Sequence, residues 1–486
     1  MRVSEYYTLG LTQPSLDFVD VRLDTDVPLF IDPTALNLLD TEWGMRCRSL
    51  IHDYFSLVLE YITDGEHDKA KSLLGQLGEP NETHLGLSKK RSRGHGMGEI
   101  LAGKMWEALN ESTAVRTGII TDLEDTALLI DGIASDVISD IVTNLIREPL
   151  LEYTAEMAEQ YGIPLQTRKT RKLWNTQSKK WVTKDLPQAI TTVDNREERL
   201  LLVPKAIVRK SISYDAGVYY NQYLVEKLQE EEMDRGFVRI IKSTGEHKPP
   251  TKKSIKENHL DADGKINQKE QNRTLTPDRR DVLEKFKQEI GENPKPVLNH
   301  SEIADEADTP TPDWDNLLKN LLDIPVGRND ASRFEKAVQA LFTALFYPWL
   351  AHPMPQTKQN NGRKRVDITY YNVATDDFFG WVKSHYTAPY IFVECKNYTT
   401  DIGNVELDQL SGRFGTSKGQ VGISVSRQIN DRDRIDASCR DTAQQGRGYI
   451  IALDDNDLIA LVDAVKNKPV GERLDLLRER FNQLVL

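Results

Sequence analysis

Apolar residues recur every three or four positions from Ser49 to Ile62 (SLIHDYFSLVLEYI) and from Val137 to Leu151 (VISDIVTNLIREPLL), the spacing of amphipathic helices. VPLFIDPTALNLL reads as a short buried strand entering a helix, punctuated by Pro28 and Pro33. RLLLVPKAIV reads as a second buried strand, and YNQYLVEKLQEEEM as an exposed helix that closes the unit. Residues 1–242 are therefore expected to form one mainly α-helical domain of α+β type. The pattern then stops. Residues 243–276 are almost free of large apolar side chains, so they are expected to be a flexible linker. In 277–330 a helical bridge is predicted from PDRRDVLEKFKQEI and PDWDNLLKNLLDI.

Periodicity returns in 331–486. In SRFEKAVQALFTALF, Phe334, Val338, Leu341, Phe342 and Leu345 line one helix face, and Glu335 sits beside that stripe. In GRKRVDITYYN the period becomes two, with Asp367 between Val366 and Ile368. PYIFVECKNY is another strand, whose alternation puts Phe392, Glu394 and Lys396 on one face. LAHPMPQTKQN, where a strand should precede these two, carries two prolines and is a poor strand candidate.

An acid and a lysine two apart on a hydrophobic strand are costly to hold near a core. Chemistry gives one reason for that cost. Asp367 and Glu394 would offer hard oxygen ligands to Mg²⁺ (or Mn²⁺), which keeps several waters and accepts phosphate oxygens. Lys396 would orient or deprotonate the attacking water and offset charge in the transition state of phosphodiester cleavage. An ion pair on an edge strand is the plainer alternative. The ordered set of a helix with Glu335, a strand with Asp367, a strand with Glu394 and Lys396, and a helix with Gln409 (VELDQLSGRFG) favours the catalytic reading.

Charge changes the picture in one respect. With 63 Lys and Arg against 75 Asp and Glu, the net charge of −12 excludes a protein that coats nucleic acid through its overall field. Any such contact must be local, and Arg363, Lys364 and Arg365 lead straight into the Asp367 strand, where they could hold backbone phosphates. Arg413 and Lys418 are expected to do the same from the next helix and its exit. Basic runs at 89–93 and 168–184 read as solvated surface. Asp131, Asp136 and Asp140 read as helix caps and polar faces. The three cysteines have no zinc or disulfide spacing. No apolar run is long enough to cross a bilayer and no leader is seen at the start, so a cytoplasmic protein without membrane contact is expected.

Asp367 followed by Glu394-Cys395-Lys396, within this order of elements, resembles the PD-(D/E)xK nuclease superfamily and, within it, the Mrr-like restriction endonucleases. The resemblance covers about the last third of the chain and implies an α/β restriction-endonuclease-like domain with an αβββαβ core. It further implies catalytic roles for Asp367, Glu394, Lys396, Glu335 and Gln409, with the metal on Asp367 and Glu394. Val366 stands where the superfamily usually has proline, and the gap between Asp367 and Glu394 implies an inserted hairpin or loop. The expected activity is Mg²⁺-dependent cleavage of DNA in prokaryotic restriction or anti-phage defence. A homodimer or a partner defence subunit would supply a second active site, and the N-terminal domain would recognise or regulate. A non-catalytic nucleic-acid- or partner-binding subunit is the alternative from another class, and an RNA-directed nuclease the alternative within the same one.

Overall fold

The computed structural model describes residues 1–87, 103, 105–110, 112–116, 118–193, 195–237, 239–240, 247–359, 364–415 and 418–486. In the N-terminal part, the helices Glu42–Thr63, Ser135–Leu145 and Arg147–Tyr161 share one core, into which Tyr54, Phe55, Ile141 and Tyr153 are buried. The apolar stretch predicted as one helix over 137–151 is broken at Ile146, whose backbone leaves the helical region. A short strand, Phe30–Ile31, does run into the Pro33–Leu38 helix, where Asp32 caps Thr34 N. The part is not purely helical, because strands Leu165–Lys169, Asp185–Val193 and Arg196–Leu200 form an antiparallel sheet. Within the basic run 168–184, Arg168 pairs with Glu197 at 2.7 Å and Lys184 with Glu148 at 2.5 Å.

The segment whose composition reads as a linker holds two helices, Lys252–Glu257 and Gln268–Leu275. Asn272 is fully buried and donates to the carbonyls of Leu128 and Ala216, at 3.0 and 3.1 Å. Ile255 packs with Tyr220 and Val225. Hydrogen bonds to carbonyls of the N-terminal part do here what apolar burial would otherwise have to do, which composition does not reveal. The bridge is divided between neighbours. Val282, Leu283 and Phe286 join the N-terminal core, and Leu321 and Ile324 join the C-terminal one.

The chain is thus multi-domain, and its C-terminal part is built on a five-stranded mixed sheet. In spatial and chain order the strands are β1 (Leu350–Gln359), β2 (Lys364–Asn372), β3 (Tyr390–Lys396), β4 (Val421–Ser426) and β5 (Tyr449–Leu453). The first three are antiparallel neighbours, and β3, β4 and β5 run parallel. Between β2 and β3, where a hairpin or loop is expected, lies the helix Asp377–His385, with Phe378 and Phe379 in the core. The proline-bearing LAHPMPQTKQ does form a strand. Its place at the sheet edge tolerates prolines, and the cost appears as a register shift between Ala351 and Met354 and left-handed backbone at His352 and Gln356. The helix Ala331–Leu345 covers one face through Phe334, Val338, Leu341 and Phe342. The Tyr370 hydroxyl reaches Thr343 at 3.1 Å and the Gln339 carbonyl at 3.2 Å, which fixes this as the Val366, Ile368 and Tyr370 side of the sheet. No described helix is long and apolar enough to cross a membrane.

The two parts are packed together. Asp17, buried in the N-terminal part, accepts from Tyr153 Oη at 2.7 Å and from the backbone N–H of His352 on β1 at 2.9 Å. The His352 ring meets Glu156 at 2.7 Å. Beside them Lys205, fully buried, lays its ammonium over the Tyr347 ring, 4.3 Å from the centroid. Its nearest carbonyls, Pro14 and Gln13, are 3.3 and 3.5 Å away.

Burial pulls Lys205 down to about 7, although Asp17 works in the opposite direction. In the unfolded chain the same amine titrates near its ordinary value of about 10.5. Between these values the folded protein binds fewer protons, so its stability rises with pH, by at most about 1.4 kcal/mol per unit. Thermal unfolding of wild type and Lys205→Met from pH 6.5 to 9.5 should show the wild type gaining on the variant as pH rises. Parallel curves would contradict a buried, depressed lysine at this interface.

Candidate active site

The ladder between β2 and β3 pairs Ile368 with Val393, and continuing that register by one residue sets Asp367 opposite Glu394. Both lie on the face away from the Ala331–Leu345 helix. Asp367 Oδ2 accepts the Cys395 backbone N–H at 2.8 Å, which ties the acid to the neighbouring strand. Glu394 is only 3% exposed, and Lys396 Nζ donates to its Oε1 at 2.8 Å. On the parallel side Glu394 is in register with Ser424, which is also buried.

Burial and then the nearby Asp367 raise the Glu394 carboxyl above its ordinary range, against the pull of Lys396 and Arg413. Burial disfavours the Lys396 ammonium, but Glu394 and then Asp367 outweigh it and the lysine is held above its ordinary range. Lys396 is thus a charged donor. Cys395 faces the opposite side, and burial followed by Asp367, Glu335 and Glu394 pushes its thiol far up, which makes it an inert packing residue.

The second oxygen, Glu394 Oε2, is buried and has no hydrogen-bond partner among the described residues. A buried carboxylate oxygen left alone costs free energy that a cation would recover. Among the described residues no group of three or more His, Cys, Asp or Glu side chains is arranged to hold a metal ion. Two carboxylates still suit Mg²⁺, which commonly takes one or two and fills its shell with water and phosphate oxygens. On the evidence of that lone oxygen and the donor set, Asp367 and Glu394 fit a hard divalent cation.

The other expected residues divide. Glu335 is carried by the helix packed on the face opposite Glu394 and is near enough to influence Cys395. Gln409 is exposed on the helix Asn404–Ser411, which turns Leu407 and Leu410 inward. Arg413 is corrected from a surface phosphate contact to a buried residue, 5% exposed, whose charge acts on Glu394. The next residue explains this. Phe414 lies against Gly422 and Gly448, where an added Cβ would come within 2.9 Å of the ring at Gly422, and within 2.8 Å of the Gln420 carbonyl at Gly448. That cradle draws the end of the helix onto the sheet. Lys418 is exposed in the turn that follows. Arg363 lies outside the described residues, as do the side chains of Lys364 and Arg365 and the basic loop at 89–93.

Two residues escaped the sequence reading. Tyr398 donates to Glu406 Oε1 at 3.1 Å, and Glu406 Oε2 accepts from Gly403 N at 2.9 Å. Both are close enough to Lys396 to exchange charge effects with it. The alternation Glu394, Lys396, Tyr398 was the available signal, although it runs past the end of β3.

Residues 8–215 match a family described as a domain of unknown function (DUF8370). No curated protein and no solved structure matches the chain. The matched span contains Asp17 and Lys205 and ends well before Asp367.

Removing Lys396 would leave Glu394 beside Asp367 without its bonded cation. Lys396→Ala should cost on the order of 3 kcal/mol, as loss of one partner of a buried pair does. Glu394→Gln combined with Lys396→Ala should cost less than Lys396→Ala alone. Urea unfolding of the single and double variants reads this, and additive costs would show that the two side chains do not interact.

Proposed function

We propose that this chain is a metal-dependent nuclease of the PD-(D/E)xK, Mrr-like kind, an endonuclease that cleaves DNA phosphodiester bonds in prokaryotic restriction or anti-phage defence. The observation that carries the reading is the cross-strand pair Asp367 and Glu394, with Lys396 bonded to one glutamate oxygen and the other left buried and unpartnered. A purely structural ion pair gives no reason for the lone oxygen.

Asp367 and Glu394 would hold the Mg²⁺ (or Mn²⁺). When bound, that cation supplies Lewis-acid polarisation of the phosphoryl oxygens. Hydrolysis joins a water oxygen to phosphorus, breaks the bond to one ester oxygen and returns a proton to the leaving group. Lys396, charged at neutral pH, offsets the negative charge that grows on the phosphoryl oxygens and orients the water by hydrogen bonding. Arg413 adds a second fixed positive charge behind Glu394. The basic stretch Arg363 to Arg365, next to Asp367 in sequence, is assigned to backbone phosphates, a contact that positions without reading sequence.

The N-terminal part is the regulatory unit in this reading. Asp17 holds the backbone of β1, and β1 pairs along β2, the strand that carries Asp367. Control of activity would pass through that edge. The second active site needed for a double-strand break would come from a second copy or a partner defence subunit.

Supercoiled plasmid incubated with the full chain and Mg²⁺ should be nicked or linearised. EDTA should stop the reaction, and Lys396→Ala should lower the rate about 100-fold or more, as loss of one transition-state donor does. A single-stranded RNA run in parallel distinguishes the two substrates. Cutting that persists in EDTA, or at full rate in Lys396→Ala, would overturn the assignment.

A further inference from the structure

The N-terminal part carries an open cavity of about 250 Å³, none of whose lining residues belongs to the C-terminal sheet. The helices Pro33–Leu38 and Glu42–Thr63 form one wall, with Arg48, His52 and Phe55 facing the space. The other wall is the stretch from Thr121 to Glu124 together with Tyr214. This is a volume for a small molecule, with an apolar floor of Ile51, Phe55 and Leu123 and polar groups at both sides.

The two walls differ in charge. Glu124 forms no ion pair among the described residues, and its charged neighbours are the acids Asp122, Asp125 and Asp32. Lys287, from the helix Arg280–Glu292, is bonded to Asp122 at 3.1 Å and to Asp125 at 2.8 Å, so it serves those two acids. Three acids and a cavity therefore surround a carboxyl that has no cation of its own. Across the space, Arg48 is held in place through Nη1, which donates to the carbonyls of Leu36, Asn37 and Leu39 at 2.9 to 3.1 Å. Those bonds cap the end of the Pro33–Leu38 helix, and Arg48 lines the cavity together with His52.

We infer that this cavity binds a small zwitterionic metabolite, with its ammonium group on Glu124, its anionic group toward Arg48 and His52, and its hydrocarbon body over Phe55 and Ile51. The acid wall by itself would accept any amine, and the base wall any small anion. Glu124 and Arg48 line one and the same cavity together with the apolar Ile51, Phe55 and Leu123, so a molecule that carries both charges gains from both. The anionic group is a carboxylate or a phosphate. This inference is independent of the nuclease reading, and none of its residues lies on the C-terminal sheet.

Burial, followed by Asp122, Asp125 and Asp32, raises Glu124 to about 7. An ammonium group binds the ionised form, so a proton competes with the ligand below that value and affinity should rise as pH goes from 6 to 8.

Calorimetry on the full chain with leucine and with phosphoethanolamine tests this, with butylamine and inorganic phosphate as the separated halves. One of the two zwitterions should bind at least tenfold more tightly than either half. The tighter of the two identifies the anionic group. Its affinity should increase several-fold between pH 6 and 8, and Glu124→Gln should remove both the binding gain and the pH dependence. A cooperative thermal unfolding transition in Glu124→Gln, matched to that of the wild type, separates loss of binding from loss of fold. The inference is overturned if neither zwitterion binds to the folded chain, if butylamine binds as well as the zwitterions, or if Glu124→Gln binds unchanged.

Discussion

A carboxylate that is 3% exposed and faces a second carboxylate across a strand pair is unstable unless a cation is held against it. Lys396 provides that cation from the same strand, two residues on and on the same face. Much of the C-terminal part serves this arrangement. The Ala331–Leu345 helix buries the opposite face, so that β2 and β3 cannot slip by one residue and turn Asp367 and Glu394 away. On the near face, glycines at 422 and 448 admit the Phe414 ring, and the helix end that carries it sets Arg413 behind Glu394.

Compensation remains incomplete. Glu394 keeps one oxygen without a partner, and its carboxyl is held above its ordinary range. Local imbalance of this kind is characteristic of sites that take a ligand. The N-terminal part repeats the theme in another form, with Glu124 crowded by acids at the wall of a cavity. In both places the group whose demands are incompletely met is a carboxyl.

The contact between the two parts has its own logic. Asp17 spends one oxygen on Tyr153 inside its own unit and the other on the His352 backbone of β1. The sheet edge that would otherwise be open is therefore covered by the N-terminal part near Ala351 and His352, where its register shifts. An edge strand so held is the natural mechanical link between the unit matched as a domain of unknown function and the strand bearing Asp367.

Period-two alternation around Asp367 and around Glu394 and Lys396 was enough to place both acids on strand faces, and period 3.6 was enough to find the helices at 49–62 and 331–345. Those patterns are local and are written in neighbouring residues. Sequence could not say that 243–276 docks, because Asn272 acts through carbonyls of Leu128 and Ala216 that lie far off in the chain. Nor could it separate Arg413, which is buried beside Glu394, from Lys418, which is exposed, since the difference depends on two glycines from β4 and the approach to β5 making room for Phe414. The chain by itself determined which side chains share a face of one element. The tertiary structure decided which faces meet, because burial, charge balance and hydrogen-bond partners are set by atoms that come together only when distant segments pack.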